Sequence, residues 1–260
     1  MILFPNAKIN LGLHVIAERQ DGFHDIETVL FPVDLCDALE LIPSADGKTT
    51  FMASGVPVHG KAEENLCLKA LEVFYTHPHT RALILAQGRG MNIHLHKVIP
   101  PGSGLGGGSS DGAFTLMVLN ELYGLNLTDE VLMEMASRLG SDCSFFIRNQ
   151  PALATGKGDI LEPVALNLSA YRIELAFPDV HVSTKEAYSL VRPRKQMRCI
   201  REIILQPVET WKDILVNDFE EPVFKMHPEI HATREQFYVR GALYASMSGS
   251  GSAVYGIFSG

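Results

Sequence analysis

The run Pro100, Pro101, Gly102, Ser103, Gly104, Leu105, Gly106, Gly107, Gly108, Ser109, Ser110 places five glycines between an extended segment and a helical one. Backbone without Cβ atoms takes positive φ freely and brings successive N–H groups close to an anion, and a following helix adds the positive end of its dipole. The chemistry suited to this pattern is the grip on a nucleotide phosphate. No reaction follows from the loop alone. Gly102-x-Gly104-x-x-Gly107 satisfies the dinucleotide pattern, but the loop lies mid-chain, and the acids about 20 residues on, Asp129 and Glu130, follow Thr128 at a helix start. A P-loop needs a lysine before its last serine or threonine, whereas Gly108 runs straight into Ser109. A flexible linker is disfavoured by ordered patterns on both sides.

Two other places carry groups suited to moving charge and protons. Lys8 shares the polar face of an alternating segment with Asn10, Gly12 and His14, while Ala7, Ile9, Leu11, Leu13 and Val15 face the other way. A small residue among polar ones is what a ligand-facing sheet surface shows; a plainly solvated face is the alternative. Asp142 precedes the aromatic pair Phe145 and Phe146. It fits the N-cap of a helix and equally a catalytic base at a loop. His94 and His96 share a strand face with no third ligand in view, so they read as exposed strand histidines and no metal site is assigned.

The elements that position these groups are legible in outline. Ala7 to Val15 reads as a half-buried strand, and a turn through Arg19 to Gly22 leads into a second strand over Phe23 to Phe31. Phe23 reads as core and His24 as surface by residue type alone. Leu35 to Ile42 and Met91 to Val98 read as strands, and Glu64 to Tyr75 as a helix. After the glycine loop, Ser109 or Ser110 fits a cap, Asp111 falls in the first turn, and helical spacing runs to Gly124. Thr128 caps a helix to Leu139. Beyond Leu161 come a strand over Tyr171 to Phe177, helices around Trp211 to Phe219 and Pro228 to Tyr238, and strands over Leu243 to Met247 and Ala253 to Phe258. A second small-residue loop, Ser248 to Ser252, joins the last two. This order is α+β rather than βαβ alternation.

With 260 residues, 46% of them hydrophobic and 20% charged, the chain can bury a substantial core. A net charge of −8 offers no basic field for a polyanion, so no nucleic-acid partner is expected. Four cysteines, Cys36, Cys67, Cys143 and Cys199, lack CxxC spacing and read as free thiols in a reducing compartment. No apolar run approaches the roughly 18 residues that span a membrane, and the expectation is a cytoplasmic protein with no membrane partner.

Three separated stretches together resemble the GHMP kinases: Pro5-Asn6-Ala7-Lys8-Ile9-Asn10-Leu11 with Arg19-x-Asp21-Gly22-Phe23-His24-x-Ile26-Glu27-Thr28, then Pro100 to Asp111, then Met247 to Ser252. The first stretch is the specific one and is similar to the branch that acts on a cytidyl diphosphate derivative of methylerythritol in the non-mevalonate route to isoprenoid precursors. The resemblance implies a two-domain α+β fold, with an ATP-binding N-terminal domain over 1–156, a C-terminal domain over 157–260 and the active-site cleft between them. It implies ATP as co-substrate with Mg2+ bridging its phosphates, and a small-molecule cytidyl diphosphate acceptor phosphorylated on its 2-hydroxyl. Carried over by position, Pro100 to Ser110 hold ATP, Asp142 and Lys8 are catalytic, Asn10 orients the acceptor, His24 meets the cytosine edge, and Phe23 and Tyr188 pack around the base. Phe23 stands where the family usually has tyrosine, and Ser141-Asp142-Cys143-Ser144 departs from the usual Ala-Asp-Val-Pro. Another acceptor within the same family, a relative without catalysis and a dinucleotide oxidoreductase are the rival readings.

Overall fold

The structure is a computed structural model and describes residues 1–58, 60–82, 90–194 and 198–260. The basic stretch Arg192 to Arg201 therefore lies partly outside the described residues. The chain divides into two compact units that interleave along the sequence: Met1–Ala7, Asp34–Pro101 and Gly106–Asn149 form one, and Lys8–Val33, Gly102–Leu105 and Gln150–Gly260 form the other. A cut at 156/157 would leave Lys8–Val33 with the first piece, whereas their packing groups them with the C-terminal residues.

The first unit is a sheet in the order Ile2–Leu3, Ala38–Pro43, Met91–Lys97, Thr50–Gly55, with helices packed together beside it. Only the last pair of strands runs parallel. Along Met91–Lys97 the burial alternates strictly, so Met91, Ile93, Leu95 and Lys97 point inward while Asn92, His94 and His96 face out. That alternation matches the sequence, as do exposed His94 and His96, whose ring nitrogens both contact Ser54 Oγ. The helix Leu66–Thr76 is capped by Asn65, whose side chain accepts from Cys67 N, and buries Cys67, Ala70, Leu71 and Phe74 at helical spacing.

The second unit holds a sheet ordered Asn6–Glu18, His24–Cys36, Ala152–Thr155, Ile160–Pro163 and another ordered Tyr244–Met247, Val254–Ser259, Tyr171–Ala176. Its core includes Leu13, Val15, Ile26, Val182, Phe219, Phe237, Met247 and Phe258. The first strand departs from the half-buried expectation. From Ala7 to Val15 every residue is buried, on both faces. The reason is that later segments cover it: Leu215 and Ile200 lie against Gly12, Ser248 Oγ accepts from Asn10 N, and along the edge Leu13 N donates to Val216 O at 2.9 Å and Asp218 N to Leu13 O at 2.8 Å.

The same pairing explains why a helix over Trp211 to Phe219 does not form. A short 3-10 turn over Val208–Asp213 gives way to turns around a single bridge at Asn217 that pairs with the strand, and a helix begins only at Glu220. Asn217 Oδ1 accepts from Phe219 N at 3.0 Å, so its side chain turns the chain into that helix.

Gly12 marks how tightly the strand is covered. It has a φ of +66°, and a Cβ there would lie 2.6 Å from Leu215 Cδ1 and 3.2 Å from Ile200 Cδ1. A left-handed residue and an overpacked contact each cost on the order of 1 kcal/mol or more. Gly12→Ala is therefore expected to destabilise the protein by about 2 kcal/mol in urea unfolding, and a variant as stable as the parent would show that the covering segment yields freely.

Candidate active site

The glycine loop folds as a string of left-handed glycines. Gly102, Gly104 and Gly106 have φ of +71°, +81° and +70°. Gly106 is the N-cap of the helix Gly107–Leu122, with no side-chain cap. Ser109 and Ser110 are thus inside the first turn instead of capping it, because glycine reaches the cap conformation at no steric cost. Asp111 is one turn in, buried, and its Oδ2 accepts from Lys97 Nζ at 2.8 Å. Tyr123 caps the far end and Gly124 leaves in the left-handed conformation, as the sequence predicts.

In the second unit the three separated sequence stretches converge on one hydrogen-bonded cluster. Lys8, only 4% exposed, donates through Nζ to Asn10 Oδ1 at 2.6 Å and to Gly104 O at 2.9 Å, and its backbone N donates to Leu105 O at 2.9 Å. Asn10 Nδ2 donates to Thr28 Oγ1 at 3.1 Å, and Thr28 Oγ1 donates onward to Gly12 O. Ser248 Oγ accepts from Asn10 N at 3.2 Å and donates to Gly104 O at 3.0 Å. Ala253 N donates to Ser103 O at 3.0 Å, so the two glycine-serine loops are joined. The contact at Gly104 needs glycine: a Cβ there would come 2.1 Å from Ser248 O. The last loop is held from behind by Asn217, whose Nδ2 donates to Met247 O and Gly249 O at 2.9 and 2.8 Å.

His24 and Tyr188 also come together in this unit, with ring centroids 4.8 Å apart and planes tilted by 30°, and Tyr188 meets Phe219 edge-on at 4.8 Å. They belong to elements far apart in sequence, the strand His24–Cys36 and the helix Thr184–Leu190, the latter capped by Ser183 accepting from Glu186 N. Phe23 is not core as its residue type suggests. It is 57% exposed, with Lys157 Nζ 5.0 Å from its ring centroid.

Asp142 belongs to the first unit. It stands at the N-cap of the short helix Cys143–Arg148, yet its side chain makes no capping hydrogen bond to that helix. The helix packs on Gly107–Leu122, and Ser109 hydrogen-bonds the Cys143 thiol, linking the turn that follows the glycine loop to the residue next to Asp142. Burial pushes that thiol up to about 12, so Cys143 is a packing group. Ser144 Oγ donates to Met133 O at 3.0 Å. Of the three unusual neighbours of Asp142, Cys143 and Ser144 therefore fill buried positions, while Ser141 is exposed.

Ser248 lies in the small-residue loop that the sequence singles out; sequence reasoning missed Asn217 and Tyr255, whose hydroxyl donates to Asn10 O at 2.8 Å. Nothing local distinguishes them; only the fold brings Tyr255 to Asn10 and Asn217 to Gly249. It also missed Asp37 and Lys97, since a lysine on the inward face of a strand reads as solvated by default.

Models of two families match the chain: the GHMP kinases N-terminal domain over residues 65–156 and the GHMP kinases C-terminal domain over residues 199–260. The chain belongs to the GHMP kinases. Among curated relatives, the 4-diphosphocytidyl-2-C-methyl-D-erythritol kinase of Azobacteroides pseudotrichonymphae genomovar. CFP2 is 49% identical over 259 residues, spanning 99% of this chain and 93% of its own. The enzyme of that name from Bacteroides thetaiotaomicron is 48% identical over 260 residues, covering 99% and 92%. A crystal structure of 4-(cytidine 5'-diphospho)-2C-methyl-D-erythritol kinase superposes with a TM-score of 0.82 at 32% identity, over 99% of this chain and 90% of that one. The Methanococcus jannaschii mevalonate kinase shares the fold at a TM-score of 0.71 and 13% identity, over 99% and 90% of the two chains. The α+β architecture of this GHMP kinase agrees with the expectation from sequence, and so does the kinase activity of its family, which uses ATP as co-substrate.

His14 continues the polar face of Lys8 and Asn10 and is 2% exposed, with neither ring nitrogen hydrogen-bonded among the described residues. Burial lowers its pKa; Asp218 and Glu27 pull the other way, and Arg194 adds to the lowering. The folded state thus favours neutral imidazole, so its contribution is present above the ordinary histidine pKa and is lost as the pH falls through the folded value. Urea unfolding of this GHMP kinase is expected to show falling stability from pH 7 to pH 5, with a shallower slope in His14→Leu. Equal slopes in the two proteins would remove His14 as the source.

Proposed function

We infer that this chain transfers the γ-phosphoryl group of ATP to the 2-hydroxyl of 4-diphosphocytidyl-2-C-methyl-D-erythritol. Full-length relatives at 47–49% identity carry that kinase name. The observation that carries the site assignment is the buried cluster of Lys8, Asn10, Gly104 and Ser248, which gathers all three family stretches around one ammonium.

The glycine loop, Pro100 to Ser110, presents its main-chain N–H groups to the triphosphate. A magnesium ion accompanying the nucleotide would offset the charge of its phosphates. Phosphoryl transfer asks little covalent chemistry of a protein and much positioning. Asp142 takes the proton from the acceptor hydroxyl as that oxygen attacks the γ-phosphorus. The bridging oxygen to the β-phosphate leaves with ADP. Lys8 supplies positive charge to the developing alkoxide, and Asn10, which accepts a hydrogen bond from Lys8 Nζ at 2.6 Å, fixes where that charge points.

A cytosine ring is planar and weakly polar, and aromatic neighbours hold it well. The His24 and Tyr188 pair supplies one such surface plus a hydrogen-bonding edge, and this favours a base-bearing acceptor over homoserine or mevalonate. Phe23, exposed nearby in sequence, offers a second ring to the base and lacks the hydroxyl of a tyrosine. Among the described residues no helix is long and apolar enough to cross a membrane, and a cytoplasmic location is part of the same proposal.

An ATP-dependent phosphorylation assay should show turnover with 4-diphosphocytidyl-2-C-methyl-D-erythritol and none with homoserine, mevalonate or galactose; preference for any of the latter removes the cytidyl acceptor. Asp142→Asn is expected to bind ATP normally while kcat falls by a factor on the order of 10²–10⁴. A rate near that of the parent would move the proton acceptor elsewhere.

A further inference from the structure

The strongest unassigned feature joins the segments on either side of the glycine loop, wholly within the first unit. Asp37, Lys97 and Asp111 are 1%, 3% and 3% exposed. Lys97 Nζ donates to Asp37 Oδ2 and, at 2.8 Å, to Asp111 Oδ2. Asp37 Oδ1 accepts from Val98 N at 2.6 Å and Ile99 N at 2.9 Å, the last backbone groups before Pro100. Asp111 belongs to the second turn of the helix that leaves the loop. The two ends of the loop are thereby tied through one ammonium. A separate contact says the same: a Cβ on Gly107, the first residue of that helix, would lie 2.8 Å from Ile99 Cγ2 and 3.3 Å from Lys97 Nζ. Entry strand and exit helix touch directly above the lysine.

We propose that the Asp37, Lys97 and Asp111 bridge is a positioning device that sets the shape of the phosphate cradle, and with it nucleotide affinity, without touching the nucleotide. This rests on the reading of the loop as the ATP phosphate site. Two carboxylates facing one ammonium leave a surplus negative charge out of water, and such a charge is costly unless a proton neutralises it. Burial pushes the Asp111 carboxyl up to about 8, with Lys97 opposing and Asp37 reinforcing the rise. Its Oδ1 is buried with no hydrogen-bond partner among the described residues. The charged groups facing Asp111 are Lys97 from the strand Met91–Lys97 and Asp37 from the residue between two strands, and the buried Cys67 thiol of the helix Leu66–Thr76 is its further titratable neighbour. Below pH 8 the bridge is neutral. Above it, a net negative charge stands between the two segments that hold the loop's ends, so nucleotide affinity falls.

The test uses the full chain and MgATP, with binding measured by isothermal titration calorimetry and turnover measured with the cytidyl acceptor. Asp111→Ala cuts the bridge and is expected to raise the Kd and KM for ATP about 10-fold, with kcat at saturating ATP within about 3-fold and the acceptor KM unchanged. Asp111→Asn keeps an acceptor for Lys97 and mimics the protonated acid. It should restore most of the ATP affinity at pH 7 and flatten the loss of affinity that the parent shows between pH 7 and pH 9. Should Asp111→Ala fail to fold, the Asp111→Asn pH profile decides by itself. A folded Asp111→Ala with parental ATP affinity, or an Asp111→Asn profile that falls with pH as the parent's does, overturns the positioning role. A parent protein that binds no MgATP overturns the nucleotide site itself, a different outcome.

Discussion

A lysine ammonium taken out of water has to be surrounded by oxygen, and the need to do this for Lys8 organises the second unit. Lys8 Nζ finds Asn10 Oδ1 on its own strand and Gly104 O from the glycine loop. The loop carbonyl can be there only because Gly104 lacks a side chain where Ser248 O passes. Ser248 in turn hydrogen-bonds Gly104 O and Asn10 N, and Asn217 holds its loop. Each of these groups satisfies another, so no single substitution among them is local. Partly satisfied polar networks are costly and fully satisfied ones rigid, and rigidity is what a positioned cation requires.

The first unit meets the same problem with a different solution. Lys97 is charge-compensated by two acids, and the group left over is a carboxyl with a raised pKa. The Lys8 ammonium instead meets two neutral oxygens, Asn10 Oδ1 at 2.6 Å and Gly104 O at 2.9 Å.

Much of this was legible from residue order. The alternation of Met91 to Lys97, the helix of Leu66 to Thr76 and the left-handed stop at Gly124 follow from local periodicity and local sterics, and the structure agrees. The three family stretches named Lys8, Asn10 and the loop, and the structure joins those stretches in one hydrogen-bonded cluster. What escaped was long-range. Nothing near Asn217 announces that its neighbours will pair with Leu13, and that pairing removed an expected helix, while later segments covered a face expected to be wet. Nothing near Lys97 announces Asp37, 60 residues away. The cap of the loop helix was misplaced for a smaller reason: serine is the habitual cap, but Gly106 reaches the required left-handed turn without one.

The interleaving of the two units along the chain bears on how the molecule is made. All segments of the first unit have left the ribosome by Asn149, whereas Lys8–Val33 must wait for partners that end at Gly260. During synthesis the strand Asn6–Glu18 has neither the pairing of Asn217 nor the cover of Leu215 and Ser248, and its unsatisfied backbone edge and apolar side chains stand open. The nascent chain thus carries an adhesive strand for most of its elongation, and a premature stop anywhere before Leu215 and Asn217 leaves it that way. Such fragments are natural clients for chaperones and proteases.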